Sequence, residues 1–150
     1  MLTRVLIALA IVVVAAAVSL FLRRRTQGTD APTQANHSVP VQLDRADFAQ
    51  PETPWLVVLF SSASCHTCAD VRAKAAVLRA PEVAVDDVEF GERRDLHDKY
   101  KIDGVPCLVV ADREGVVRAS FLGPVTATDL WAAVAEVREP GSSPEPDLGR

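Results

Sequence analysis

The apolar positions of this chain fall into two regimes, one long unbroken run and then a series of short ones. Val5 to Leu22 is an 18-residue stretch in which Ser19 is the one polar residue. As a helix rising about 1.5 Å per residue it would be roughly 27 Å long, close to the hydrocarbon thickness of a bilayer. Arg23-Arg-Arg25 ends it abruptly. A cleaved signal peptide with Ala15-Ala-Ala17 as its small-residue site is the alternative. Against it, Val18-Ser-Leu-Phe-Leu22 stays apolar past the alanines, and the arginines follow as a stop-transfer signal does. The pattern therefore predicts a transmembrane anchor with a basic flank over 1–25. Residues 26–40 and 139–150 have little to bury and predict a flexible linker and a disordered tail. Residues 41–138 remain as one domain without internal repeats, long enough for one modest core.

Within that domain the runs are short. Val41-Gln-Leu43 reads as a first strand, and Asp44 can cap a helical turn over Arg45–Ala49. Pro51 and Pro54 precede Trp55-Leu-Val-Val-Leu-Phe60, which is apolar without alternation, as a strand covered on both faces is. The spacing then predicts a helix over Thr67–Arg79 with Cys68, Val71, Ala75 and Leu78 on one side, and Pro81 just past its end. A strand follows at Val83–Phe90 and a polar helix at Glu92–Tyr100. Leu108-Val-Val-Ala111 and Val116–Phe121 flank Asp112-Arg-Glu-Gly115 as a hairpin. Thr126-Ala-Thr-Asp129 starts a last helix that buries Leu130, Val134 and Val137. The order β-α-β-α-β-α-β-β-α predicts an α/β fold, a mixed central sheet with helices on both faces.

Charge changes the picture in one respect. The first 25 residues hold four arginines and no acid, whereas residues 26–150 hold 12 basic and 20 acidic groups, formally −8. An acidic domain has no basic patch for nucleic acid, and solubility is the plain reading of that charge.

Cys65-His-Thr-Cys68 is the candidate chemistry. It follows an apolar strand and opens a helix, so its thiols lie one helical turn apart at an N-terminus, where unpaired N–H groups and the dipole favour a thiolate. The thiolate attacks disulfides, and the segment supplies a nucleophile and a resolving partner together. The same spacing is half of a zinc site. With three cysteines and three histidines in the chain there is no second Cys-x-x-Cys and no paired histidines to complete one. Ala69 stands where a haem-attachment motif needs histidine.

Four pieces in order carry a resemblance: Val57-Val-Leu-Phe-Ser-Ser-Ala-Ser-Cys-His-Thr-Cys68, Tyr100-Lys-Ile-Asp-Gly-Val-Pro106, Leu108–Val117, and Gly123 ahead of the last helix. Together they resemble the thioredoxin-fold family over most of 41–138, and with the anchor they resemble small membrane-anchored thioredoxin-like proteins of bacteria. The resemblance implies that Cys65 attacks and Cys68 resolves. It also implies that Pro106 follows a cis peptide beside the pair, with Val105 and Pro106 holding an extended substrate. No cofactor is implied. The partners implied are a protein or small-molecule disulfide and an electron donor, and the place implied is the cell membrane as a single-pass protein. Arg23–Arg25 outweigh Arg4 next to the membrane, so the domain is expected on the cytoplasmic side, with the extracytoplasmic side as the alternative.

The chain departs from the family at three points. Ser64 replaces a tryptophan before the first cysteine. Leu59 replaces a buried aspartate that assists the resolving cysteine, with Glu89 as a substitute acid. His66-Thr67 replaces Gly-Pro, and a protonated His66 would favour the neighbouring thiolate and a more oxidising disulfide. Cys107 reads as a small buried residue, or else as a thiol that forms an alternative disulfide or completes a three-thiolate metal site with Cys65 and Cys68. His97 and His37 read as solvated surface residues, and Trp55 and Trp131 as core or rim. Three functions follow: a membrane-tethered thiol–disulfide oxidoreductase reducing protein disulfides, a metal-thiolate delivery module, or a redox-silent adaptor.

Overall fold

The structure, a computed structural model, describes residues 38–142. The anchor expected over 1–25, His37, most of the linker and most of the tail lie outside the described residues. No helix among the described residues is long and apolar enough to cross a membrane.

Four strands form one sheet: β1 (Trp55–Ser61), β2 (Val83–Glu89), β3 (Cys107–Ala111) and β4 (Val117–Leu122). Their order is β2-β1-β3-β4, with β1–β2 parallel and the other two pairs antiparallel. β1 is central and buried from Leu56 to Ser61, which is why its sequence shows no alternation. Its two faces nevertheless go to different cores. Val57 and Leu59 pack with Val71 and Ala75 of α1 (His66–Ala76) and with Leu130, Ala133 and Val134 of α3 (Ala127–Arg138). Leu56, Val58 and Phe60 pack on the opposite side with Leu43, Phe48, Val109 and Leu96 of α2 (Arg94–Lys99). Helices thus cover both faces, as the pattern predicted.

The hairpin between β3 and β4 turns at Asp112–Gly115, with Gly115 N–H donating to Asp112 O at 3.0 Å. Gly115 has φ +79° and carries the close approach of the N-terminal segment. A Cβ there would lie 2.0 Å from Leu43 O, so both the dihedral and the space demand glycine. Thr126 caps α3 by accepting the Asp129 N–H at 3.1 Å.

Four elements differ from the expectation. The strand at Val41–Leu43 is a single bridge, Gln42 to Val116, because the chain turns away at once: Asp44 accepts the Ala46 N–H at 3.1 Å and starts a 3-10 turn over Arg45–Asp47. α1 stops at Ala76, where Leu78 N–H and Arg79 N–H tighten onto Ala75 O and Ala76 O. α2 starts at Arg94 because Arg93 has non-helical backbone, φ −132° and ψ 50°, after a turn in which the Glu92 and Arg93 N–H groups donate to Glu89 O. The fourth difference is His97. It is 2% exposed rather than solvated. Its Nε2 lies 2.9 Å from Val88 O, and its ring meets the edges of Phe60 and Phe90 at centroid distances of 5.3 and 5.2 Å. A short helix carried by Leu96 alone has little to bury, and the histidine ring supplies the rest of its apolar contact.

Candidate redox site

β1 delivers the chain from the middle of the sheet into the loop Ser62–Ser64 and then into α1. The Cys65 N–H closes that loop on Ser62 O at 3.1 Å, and the Ser62 and Ser64 hydroxyls lie 3.1 Å apart. Cys65 is the N-cap of α1, in extended backbone, and its Sγ accepts the Cys68 N–H at 3.1 Å. Cys65 and Cys68 are joined as a disulfide with their Cα atoms 5.3 Å apart. Their exposures differ: Cys65 is half-buried, whereas Cys68 is fully covered at 0%. His66 and Thr67 sit exposed on the first turn of α1.

The Val105–Pro106 peptide is cis. Pro106 is buried, Val105 is half-buried, and Pro106 O accepts the Gly123 N–H at 2.8 Å. A cavity of about 200 Å³ connects the two loops, bounded by Ser62 on one side and Gly104 and Val105 on the other. Phe90, Ile102 and the buried His97 also line it, and Phe90 is 40% exposed.

Cys107 sits in the core on the opposite side of the sheet from the one that α1 packs against. It lies in β3 opposite Phe60 of β1. It is free, 1% exposed, and burial followed by the Asp103 carboxylate pushes its thiol up from 9.0 to about 11. Among the described residues no three His, Cys, Asp or Glu side chains are disposed to hold a metal ion.

Leu59 is 1% exposed within the α1-side core. Glu89 stands at the end of β2, where its Oε1 accepts the Ala63 N–H at 2.8 Å and its Oε2 the Glu92 N–H at 3.0 Å. The Ala63 N–H is the main reason its carboxyl lies below the usual range. Asp87 escaped the sequence reading. It is paired directly with Leu59 in the β1–β2 register, on the face that meets α1. It accepts the hydroxyl of the fully buried Ser61 at 2.6 Å and forms an ion pair with Arg72, whose Nη2 also reaches Ser61 Oγ at 3.1 Å. The signal was the alternation of Val83, Val85 and Asp87 along β2, together with the one-turn spacing of Cys68 and Arg72 on α1. Trp131 is a rim residue, its indole N–H donating to Lys74 O at 3.3 Å, and Trp55 packs at the edge of the α1-side core.

No family model and no curated protein matches the sequence. Solved structures do match the fold. A Fasciola hepatica thioredoxin is 22% identical, with 58% of this chain and 84% of that one covered at a TM-score of 0.50. A thioredoxin-fold protein from Helicobacter pylori is 13% identical, with 63% and 82% covered at a TM-score of 0.49. The likeness to the Fasciola protein is one of fold: the described domain is thioredoxin-like, a mixed four-stranded sheet with helices. A cysteine pair at disulfide distance at the start of α1 in such a fold suggests chemistry of the redox type.

Proposed function

We propose that this chain is a membrane-tethered thiol–disulfide oxidoreductase that reduces protein disulfides through Cys65 and Cys68. The unequal burial of the two cysteines carries the reading. An attacking thiol has to meet a partner, and Cys65 is accessible at a helix N-terminus that favours its thiolate. A resolving thiol has to meet only its neighbour, and Cys68 is fully covered one turn away.

The exchange balances as follows. The Cys65 thiolate attacks one sulfur of the substrate disulfide and expels the other as a thiolate, leaving a mixed disulfide. Cys68, deprotonated, attacks the Cys65 sulfur and expels the second substrate thiolate. Two electrons have passed to the substrate and the chain holds the Cys65–Cys68 bond. An external dithiol then reverses the sequence on this pair and is itself oxidised. Val105 and Pro106 form the shelf for the extended substrate. The cavity beside that shelf holds about 200 Å³. That is below the roughly 300–1,000 Å³ of ordinary small-molecule pockets and favours one side chain of a polypeptide.

The tether is read from Val5–Leu22 and Arg23–Arg25, and their charge favours the domain on the cytoplasmic side. The test of the reaction is insulin reduction with dithiothreitol as donor, followed by turbidity. The full chain is expected to accelerate it and a Cys65→Ser variant is not. Equal rates with and without Cys65 overturn the proposal.

A further inference from the structure

We infer that Glu89 is a positioning residue for the nucleophile: its carboxylate holds the Ser62–Ser64 loop in the turn that delivers Cys65. The inference rests on the reading of Cys65 and Cys68 as the exchanging pair.

The loop has few other holds. Ser62, Ala63 and Ser64 are short, Ala63 and Ser64 are exposed, and none of the three belongs to either core cluster. Its backbone is tied at its two ends, by Phe90 N–H on Ser61 O at 2.9 Å and by Cys65 N–H on Ser62 O at 3.1 Å, and within it the Ser64 N–H reaches Ser62 Oγ only at 3.4 Å. Between them, the Ala63 N–H points across to the neighbouring strand, and Glu89 Oε1 meets it at 2.8 Å. The carboxylate is itself held from behind, because Oε2 accepts the Glu92 N–H at 3.0 Å. Position 91 is shaped for this arrangement: a Cβ on Gly91 would lie 2.9 Å from Glu89 Oε2. A charge-assisted bond from carboxylate to backbone N–H is about twice as strong as a neutral one, so a single contact can govern a short loop. Loop position decides where the Cys65 sulfur stands relative to the Val105–Pro106 shelf, and exchange requires an in-line approach of three sulfurs.

The test compares three variants of the full chain. Glu89→Ala removes the acceptor. Glu89→Asp keeps the charge and shortens the reach. Glu89→Gln keeps the length and one acceptor oxygen but loses the charge. Rates of exchange of the reduced proteins with insulin are normalised to the Cys65 thiolate fraction, taken from the pH profile of alkylation. The Ala and Asp variants are expected to slow about ten-fold, since displacement of a reacting group by about 1 Å alone can cost more than that. Gln is expected to fall between them and the parent, because its one oxygen can meet the Ala63 N–H but its NH2 cannot accept the Glu92 N–H. Protection of the Ala63 amide against hydrogen exchange is expected to fall in Ala and Asp, and less in Gln. Should the Ala variant not fold, the Asp variant decides. Asp at the parent's rate overturns the inference. A parent that does not exchange at all overturns the underlying function instead.

Discussion

Replacing Cys107 by alanine separates two readings of the third thiol, and the size of the effect can be worked out. Burial raises the Cys107 thiol from 9.0 to about 11. At neutral pH that leaves roughly one hundredth of the thiolate of an ordinary cysteine, before any steric exclusion is counted. The thiol should therefore stay unalkylated in the folded, reduced chain while Cys65 reacts, and should react only on unfolding. The same displacement sets a pH dependence. Because the folded thiol ionises above the unfolded one, the stability it contributes is present below pH 9 and is lost as pH rises to about 11, a loss of about 2–3 kcal/mol. Urea unfolding of the parent and of Cys107→Ala, both with the Cys65–Cys68 disulfide intact, isolates this loss as the difference between the two curves, since every other ionisable group is common to both. Reductase rates should agree within about three-fold, because exchange needs two thiols and Cys65 and Cys68 already supply them at the start of α1. Parallel alkaline curves, or Cys107 alkylated as fast as Cys65, would refute the assignment to the α2-side core. Tight Zn or Cu(I) binding by the parent that disappears in the variant would favour the metal-thiolate module.

Other outcomes follow from the same geometry. Cys68→Ser should accumulate mixed disulfides on non-reducing gels and Cys65→Ser should not; equal trapping by both removes the assigned roles. Asp87→Ala should cost about 1–2 kcal/mol in urea unfolding, because the fully buried Ser61 hydroxyl loses its acceptor, and an unchanged midpoint would show that water replaces it. A C-terminal alkaline phosphatase fusion to the full chain should be inactive, and strong activity would put the domain outside the cytoplasm.

How far the sequence could be read depended on whether a feature was local. β1, α1 and the Asp112–Gly115 turn were legible because unbroken apolarity, a cysteine at a helix start and a glycine at a turn each act over a few residues. The cis Val105–Pro106 bond was legible only through resemblance, since nothing in the local composition distinguishes the two isomers. What stayed hidden depends on partners distant in sequence. His97 sits in a polar stretch, and only the packing of Phe60 and Phe90 around it accounts for its burial. Glu89 was read as a possible acid, but its bond to Ala63 spans 26 positions. The place of Cys107 in the α2-side core follows from which face of β3 it occupies, and the residue after a proline does not announce that.

For the proposed reaction, the unequal exposure of the two cysteines also implies a kinetic order of turnover. In the proposed exchange, with Cys68 fully covered, everything that gives or takes electrons passes through the single sulfur of Cys65. Donor and acceptor therefore cannot be engaged at once, and each must leave before the other arrives. Initial-rate plots against one reactant at several levels of the other should be parallel lines, the mark of a ping-pong cycle. Either reactant in excess should inhibit by occupying the wrong redox form. A physiological donor would then have to bring its own reactive thiol to the same sulfur that the proposed substrate meets.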